Sequence, residues 1–170
     1  MKRIIITLLA IAFALLPMSL VLGQGRDSFG FNSDVVSGFP GGRAVSLTGG
    51  GAYALPNFIR AGGSFTCLTN IAAGPFAGCL AGEGVRWDAV ALLANTTFKC
   101  TGAAGEALKT AVTDDNTVVM IADFYKKGDG EDASFKNVKM FVSAEDKASG
   151  FASKVWVVGV GCGDAIANFN

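Results

Sequence analysis

The sequence predicts an all-β domain, mainly antiparallel with one short helix, that closes into a small barrel or, as a second choice, forms a β-sandwich. Three observations lead to this prediction. Short runs of β-branched and aromatic residues recur at close intervals along the chain. Glycine accounts for 23 of the 170 residues and clusters between those runs, which favours turns over long helices. Strand and helix patterns do not alternate along the chain as they would in a βαβ fold. Closure into a barrel would remove exposed strand edges.

Residues 1–25 have the pattern of an export signal. Lys2 and Arg3 precede an apolar run from Ile4 to Leu22, and small and polar residues follow it. We expect cleavage between Gly23 and Asp27, and a permanent membrane anchor is the alternative because a run of this length can span a bilayer. The mature chain is therefore expected to be periplasmic or secreted, with membrane contact only through an uncleaved signal.

The exported part is expected to hold one domain. Residues 26–42 are predicted to be a flexible entry segment, and residues 43–170 a single β-rich domain of ordinary size. Without Lys2 and Arg3, 12 of the 14 basic side chains remain against 14 acidic ones. This slightly negative balance favours neither nucleic acid nor an anionic membrane as a partner.

The first half of the domain is expected to begin with a hairpin. Its strands are Arg43–Leu47 and Phe58–Leu68, separated by the turn residues Pro56 and Asn57. Glycines recur at Gly50-Gly51 and Gly62-Gly63, where we expect strands to bend or approach closely. A glycine- and alanine-rich loop follows at residues 68–84, either as a lid or as a cross-linked excursion.

The second half contains the most regular pattern. Strands are predicted at Arg86–Leu93 and Asn95–Thr101, and the helix candidate is Ala103–Thr110. Apolar residues alternate along Thr117–Tyr125, with Val118, Met120, Ala122 and Phe124 on one face. This strand is predicted to form a hairpin with Phe135–Ser143, and the last strands are Lys154–Val160 and Ala165–Phe169.

The four cysteines all lie in the exported part. An even number in an oxidising compartment predicts two disulfides. Three pairings are possible, and we favour Cys67 with Cys79, closing a local loop, and Cys100 with Cys162, joining distant strands. Zinc is the alternative, but the chain has no Cys-x-x-Cys pair and no histidine to complete a site.

The chain contains no histidine, which excludes Ser-His and Cys-His catalytic pairs. Any enzyme would need other groups, and the catalytic candidates are Arg86, Asp88, Asp123 and Tyr125. In a barrel mouth, Arg86 and Asp88 could bind a polar ligand, or Asp88 could act as a base. The favoured interpretation is a surface ion pair with Trp87 on the opposite, buried face of the strand.

The turn after Tyr125 carries a group of carboxylates that is a candidate calcium site. Its members are Asp129, Glu131 and Asp132. A solvated hairpin tip is the favoured interpretation because turns prefer these residue types. We therefore expect no metal and no other cofactor.

Three stretches resemble segments of small exported bacterial proteins of unassigned function. They are residues 45–53 (VSLTGGGAY), 84–88 (GVRWD) and 97–102 (TFKCTG). The resemblance implies a bacterial host and no particular activity.

The leading functional hypothesis is a secreted, disulfide-stabilised β-domain that binds a small apolar ligand in its interior or a partner at its surface. One alternative is a small histidine-free enzyme, an isomerase or hydrolase, and another is a structural envelope or matrix protein. A cavity lined by Phe and Val would favour the binder. A cleft in which Asp and Arg converge would favour the enzyme.

Overall fold

The computed structural model describes residues 25–147 and 155–170. Residues 1–24 of the predicted export signal, and Lys154 at the start of a predicted strand, lie outside these ranges. No helix within the two ranges has the length and apolar character that would carry it across a membrane.

The described residues form eleven β-strands. In chain order they are β1 (Asp27–Gly38), β2 (Ala44–Ala54), β3 (Phe58–Cys67), β4 (Arg86–Leu93), β5 (Asn95–Phe98), β6 (Lys109–Val112), β7 (Thr117–Tyr125), β8 (Phe135–Ser143), β9 (Val155–Val157), β10 (Gly161–Gly163) and β11 (Ile166–Phe169).

Eight of these strands close into an antiparallel barrel. Their order is β1-β2-β3-β4-β7-β8-β9-β10, and β10 returns to β1 through the pairs Ser37↔Cys162 and Gly38↔Gly161. The extra strand β11 lies beside the first half of β1, where Phe29 pairs with Phe169. The predicted all-β barrel is confirmed, as are the hairpins β2–β3 and β7–β8.

The predicted flexible entry segment is wrong, because most of it forms β1. Phe29, Phe31 and Ser33 point into the barrel in strict alternation. A bulge between Ser33 and Val36 then shifts the register and leaves two exposed residues in succession. This irregularity hides the strand pattern in the sequence.

The predicted helix at Ala103–Thr110 is also wrong. These residues form turns that lead into β6, and no helix occurs in the described residues. The Glu106 carboxylate accepts hydrogen bonds from the backbone N–H groups of Cys100, Thr101 and Gly102. A side chain that binds the backbone in this way stabilises a compact turn in place of a helix.

The barrel interior is filled by the protein's own side chains. Tyr53, Phe65, Phe76, Trp87 and Phe124 are each at most 2% exposed. Their packing follows from the inward face of each strand, and for Phe76 from the loop that joins β3 to β4. In this structure the described side chains therefore occupy the interior.

A second apolar cluster lies on the outside of the barrel. The hairpin β5–β6 covers the outward rings of Phe141 and Trp156 with Phe98, whose ring centroid lies 4.8 Å from that of Phe141. The disulfide Cys100–Cys162 joins the end of this hairpin to β10. The other disulfide, Cys67–Cys79, closes the β3–β4 loop, so both favoured pairings are confirmed.

Candidate functional site

The four catalytic candidates lie together on the outer face of the barrel. Register places Arg86 of β4 opposite Tyr125 of β7, and Asp88 opposite Asp123. Trp87, between the two β4 residues, points inward and is completely buried. We call these four outward residues the β4–β7 patch.

Arg86 contacts two other members of the β4–β7 patch and the β7–β8 turn. Its guanidinium forms an ion pair with Asp88, and the favoured interpretation of these two residues is confirmed. The guanidinium carbon lies 3.7 Å from the centre of the Tyr125 ring, in cation–π contact. Nη2 donates a hydrogen bond of 3.0 Å to the carbonyl of Gly130 in the β7–β8 turn. The arginine is thus ordered by three partners from three segments.

Both charged members of this ion pair remain open to solvent. The side chains of Arg86 and Asp88 are 41% and 45% exposed. Asp123 is fixed by the backbone of β8, because its Oδ1 accepts a 2.8 Å hydrogen bond from the N–H of Asn137. The patch therefore presents ordered charges on an outward surface, which suits contact with another molecule better than proton transfer in an enclosed site.

A row of glycines continues the patch across three further strands. Gly30 of β1 pairs with Gly50 of β2, Gly50 pairs with Gly62 of β3, and Gly62 pairs with Asp88. A Cβ added at Gly62 would lie 3.0 Å from Oδ1 of Asp88, so the row and the patch adjoin. We call Gly30, Gly50 and Gly62 the glycine row. Because these three residues have no side chains of their own, another chain could approach the backbone closely along the row.

The sequence showed these glycines but not their alignment. The expected close approach of the strands is present, since a Cβ at Gly50 would lie 2.3 Å from the carbonyl oxygen of Phe29. Their formation of one row beside Asp88 depends on the register of four strands. No local pattern in the sequence carries that information.

The candidate calcium residues do not converge. Asp129 accepts hydrogen bonds from the backbone N–H groups of Lys126 and Ser134, at 2.6 and 3.1 Å. The hydrogen bonds from Ser134 and then Lys126 lower the pKa of this carboxyl. Asp132 instead faces Lys136 at 3.7 Å, with its side chain 98% exposed. Within residues 25–147 and 155–170 no three acidic or sulfur ligands come together as a metal site.

Glu106 has a carboxyl group whose pKa is strongly lowered by its surroundings. Partial burial opposes its charge, but the Thr101 hydroxyl and the N–H groups of Cys100, Thr101 and Gly102 donate hydrogen bonds to it and lower its pKa to about 2. The four hydrogen bonds measure 2.6–3.0 Å. Hydrogen bonds within the turn occupy this carboxylate, so its role is structural.

Tyr53 also has a strongly shifted pKa. Burial, followed by the nearby carboxylates of Asp27, Asp114 and Asp115, raises the pKa of its phenol. The hydroxyl donates a 2.7 Å hydrogen bond to the carbonyl of Asp114. Tyr53 is therefore a neutral anchor between the core and the β6–β7 turn, and cannot serve as a base at ordinary pH.

The comparisons with known proteins add no assignment. No protein-family model matches this chain, and neither a curated protein nor a solved structure matches it.

The surface depressions do not bring Asp and Arg together as the β4–β7 patch does. One, of about 400 Å³, lies at the β1 bulge and is lined by Asp34, Asp164 and Ile166 among others. Another, of about 500 Å³, lies between the β3–β4 loop and the β7–β8 turn, where Glu83 pairs with Lys126 at 3.3 Å. Both are open surface depressions, and neither brings Asp and Arg together.

Proposed function

We propose that this chain is an exported binding domain that contacts a partner polypeptide through the β4–β7 patch and the adjoining glycine row. The observation that carries the proposal is the fixed position of Arg86, held by Asp88, Tyr125 and the carbonyl of Gly130 while it stays half exposed. Holding a half-exposed arginine in one geometry costs side-chain entropy, which an exposed ion pair alone barely offsets, so the arrangement favours a role in binding.

Residue types at the patch support a protein partner. Arginine and tyrosine are enriched among the residues that contribute most to binding between proteins. A side chain that is already ordered before binding loses less conformational entropy when the complex forms. The glycine row supports an extended partner segment, because its backbone can lie directly against that of the barrel.

The charge of the patch favours a basic residue in the partner. Two carboxylates, Asp88 and Asp123, face each other across β4 and β7. Arg86 neutralises one of them, so one negative charge is left. A Lys or Arg in the partner would complement this charge and orient the bound segment.

The packed interior favours this surface proposal over a permanently bound interior ligand. Five inward rings, each at most 2% exposed, fill the space that such a ligand would take. The two disulfides fit an oxidising, extracytoplasmic environment. Together with the signal pattern of residues 1–25, they support export as the setting in which the partner is met.

Site-specific photo-cross-linking in cells that export the protein tests the proposal. A photoreactive residue is placed at Ser64, exposed on the outer face of β3, and at Thr97 on the hairpin β5–β6 as a matched control. We expect a polypeptide adduct from position 64 only, and its loss in R86A/Y125A. Equal adducts from both positions, or an adduct unaffected by R86A/Y125A, would refute the proposed surface.

A further inference from the structure

Phe76 is a core residue that comes from a loop. It lies between the two cysteines of the Cys67–Cys79 disulfide, yet its side chain is completely buried. Its ring centroid lies 4.8 Å from that of Phe124, 5.2 Å from Phe135 and 5.8 Å from Phe65. Phe76 thus fills a box whose walls are rings from β3, β7 and β8.

The loop segment 71–79 is bonded to itself. Its backbone hydrogen bonds run from Ile71 to Cys79, Ala77 to Gly74, Gly78 to Ile71 and Cys79 to Phe76. Among the described residues, no backbone hydrogen bond joins residues 71–79 to a barrel strand. Packing holds it in place, chiefly through the buried side chains of Ile71 and Phe76.

The outer side of the loop segment contacts Gly159 and Arg43. Pro75 rests on Gly159, where an added Cβ would lie 2.6 Å from the proline Cδ. Arg43 donates a 3.0 Å hydrogen bond to the Gly159 carbonyl, beside Gly74. The loop segment can therefore lift as one unit without breaking a backbone hydrogen bond to the barrel, while the disulfide limits how far it moves.

We propose that residues 71–79 form a lid over an apolar binding site inside the barrel, and that Phe76 occupies this site when the lid is closed. The ligand is an uncharged planar ring of about the size of a benzyl group, because the walls are phenylalanine rings that meet Phe76 edge-on or stacked. Phe76 acts as a tethered competitor with a high effective concentration, so the closed state excludes weak ligands. This site lies inside the barrel and is independent of the β4–β7 patch.

Fluorobenzene is a suitable probe, with binding followed by ¹⁹F NMR. We expect Phe76→Ala to bind it at least about tenfold more tightly than the wild type, because the tethered competitor is gone. Phe98→Ala is the matched control, since it removes an equally buried ring from the outer cluster. If Phe76→Ala does not fold, Phe76→Leu replaces it, because leucine keeps an apolar side chain in the box. We expect its affinity for fluorobenzene to lie between those of Phe76→Ala and the wild type.

Hydrogen exchange measured on the wild type distinguishes binding under a movable lid from binding in a cavity that the substitution itself creates. Saturating fluorobenzene should speed amide exchange at residues 71–79 and leave β2, β3 and β7 unchanged, because the ligand displaces the lid. C67S/C79S should strengthen binding by freeing the lid, whereas C100S/C162S should not. Unchanged exchange at residues 71–79, or equal affinities of Phe76→Ala and Phe98→Ala, would overturn the proposal.

Discussion

The indole ring of Trp87 lies directly against the backbone of Gly49 inside the barrel. A Cβ added at Gly49 would come within 2.6 Å of Cζ2 of the indole and within 2.5 Å of the carbonyl oxygen of Gly62. The indole N–H donates a 3.0 Å hydrogen bond to the carbonyl of Thr48, so the ring cannot move away without losing its polar partner. The glycine in β2 therefore makes room for the largest residue of the core.

Gly49→Ala is expected to destabilise the protein by at least about 2 kcal/mol, because an extra methyl group in a packed core forces ring and backbone to shift. Urea unfolding followed by Trp fluorescence measures the change. Gly105→Ala is the control, since a Cβ there meets nothing within 4 Å. Equal stability of the two variants would show that Trp87 is not held against β2.

The two disulfides are expected to contribute unequally to stability. They close loops with sequence separations of 12 and 62 residues. On the chain-entropy relation, C67S/C79S should lower the free energy of unfolding by about 3 kcal/mol and C100S/C162S by about 4 kcal/mol. Urea unfolding of both double variants under identical conditions tests this. The reverse order would mean that native packing, not loop length, determines the effect.

Stability should depend on Glu106 at neutral pH and lose that dependence in acid. The hydrogen bonds of Glu106 lower its pKa from 4.5 to about 2, so the folded state holds the carboxylate more tightly ionised than the unfolded state does. The contribution is then complete above pH 4.5 and is lost as the pH falls toward 2.

Glu106→Gln removes the charge but keeps the size of the side chain. We expect it to cost about 2 kcal/mol at pH 7, because several charge-assisted hydrogen bonds are weakened. The difference from the wild type should shrink steadily below pH 4.5. Glu131→Gln, in the exposed turn, should have little effect at any pH. If the loss of unfolding free energy in Glu106→Gln stayed constant down to pH 2.5, the lowered pKa of Glu106 would be contradicted.

The sequence predicted best those elements whose pattern is local. In β7 the alternation is regular, and Val118, Met120, Ala122 and Phe124 all point into the core as expected. The next strand, β8, pairs with β7 as the turn between them indicated. The placement of Trp87 inside, with Arg86 and Asp88 outside, followed from alternation as well.

Prediction failed where one residue interrupts the pattern or where distant segments meet. The bulge after Ser33 breaks the alternation of β1, and the carboxylate of Glu106 turns a helix-like segment into a turn. Phe76 lies in a glycine-rich loop whose composition gives no sign that its ring enters the barrel. Likewise, the pairing of Asp88 with Asp123 depends on register between strands far apart in the chain.

Native mass spectrometry of the exported protein tests the central claim most directly, with wild type and R86A/Y125A purified side by side under mild conditions. We predict a wild-type chain that begins between residues 24 and 27, carries two disulfides and retains a partner polypeptide that R86A/Y125A has lost. Unchanged melting of the double variant would show that the loss is not due to unfolding. A polypeptide retained equally by both proteins, or by neither, would contradict recognition through the β4–β7 patch.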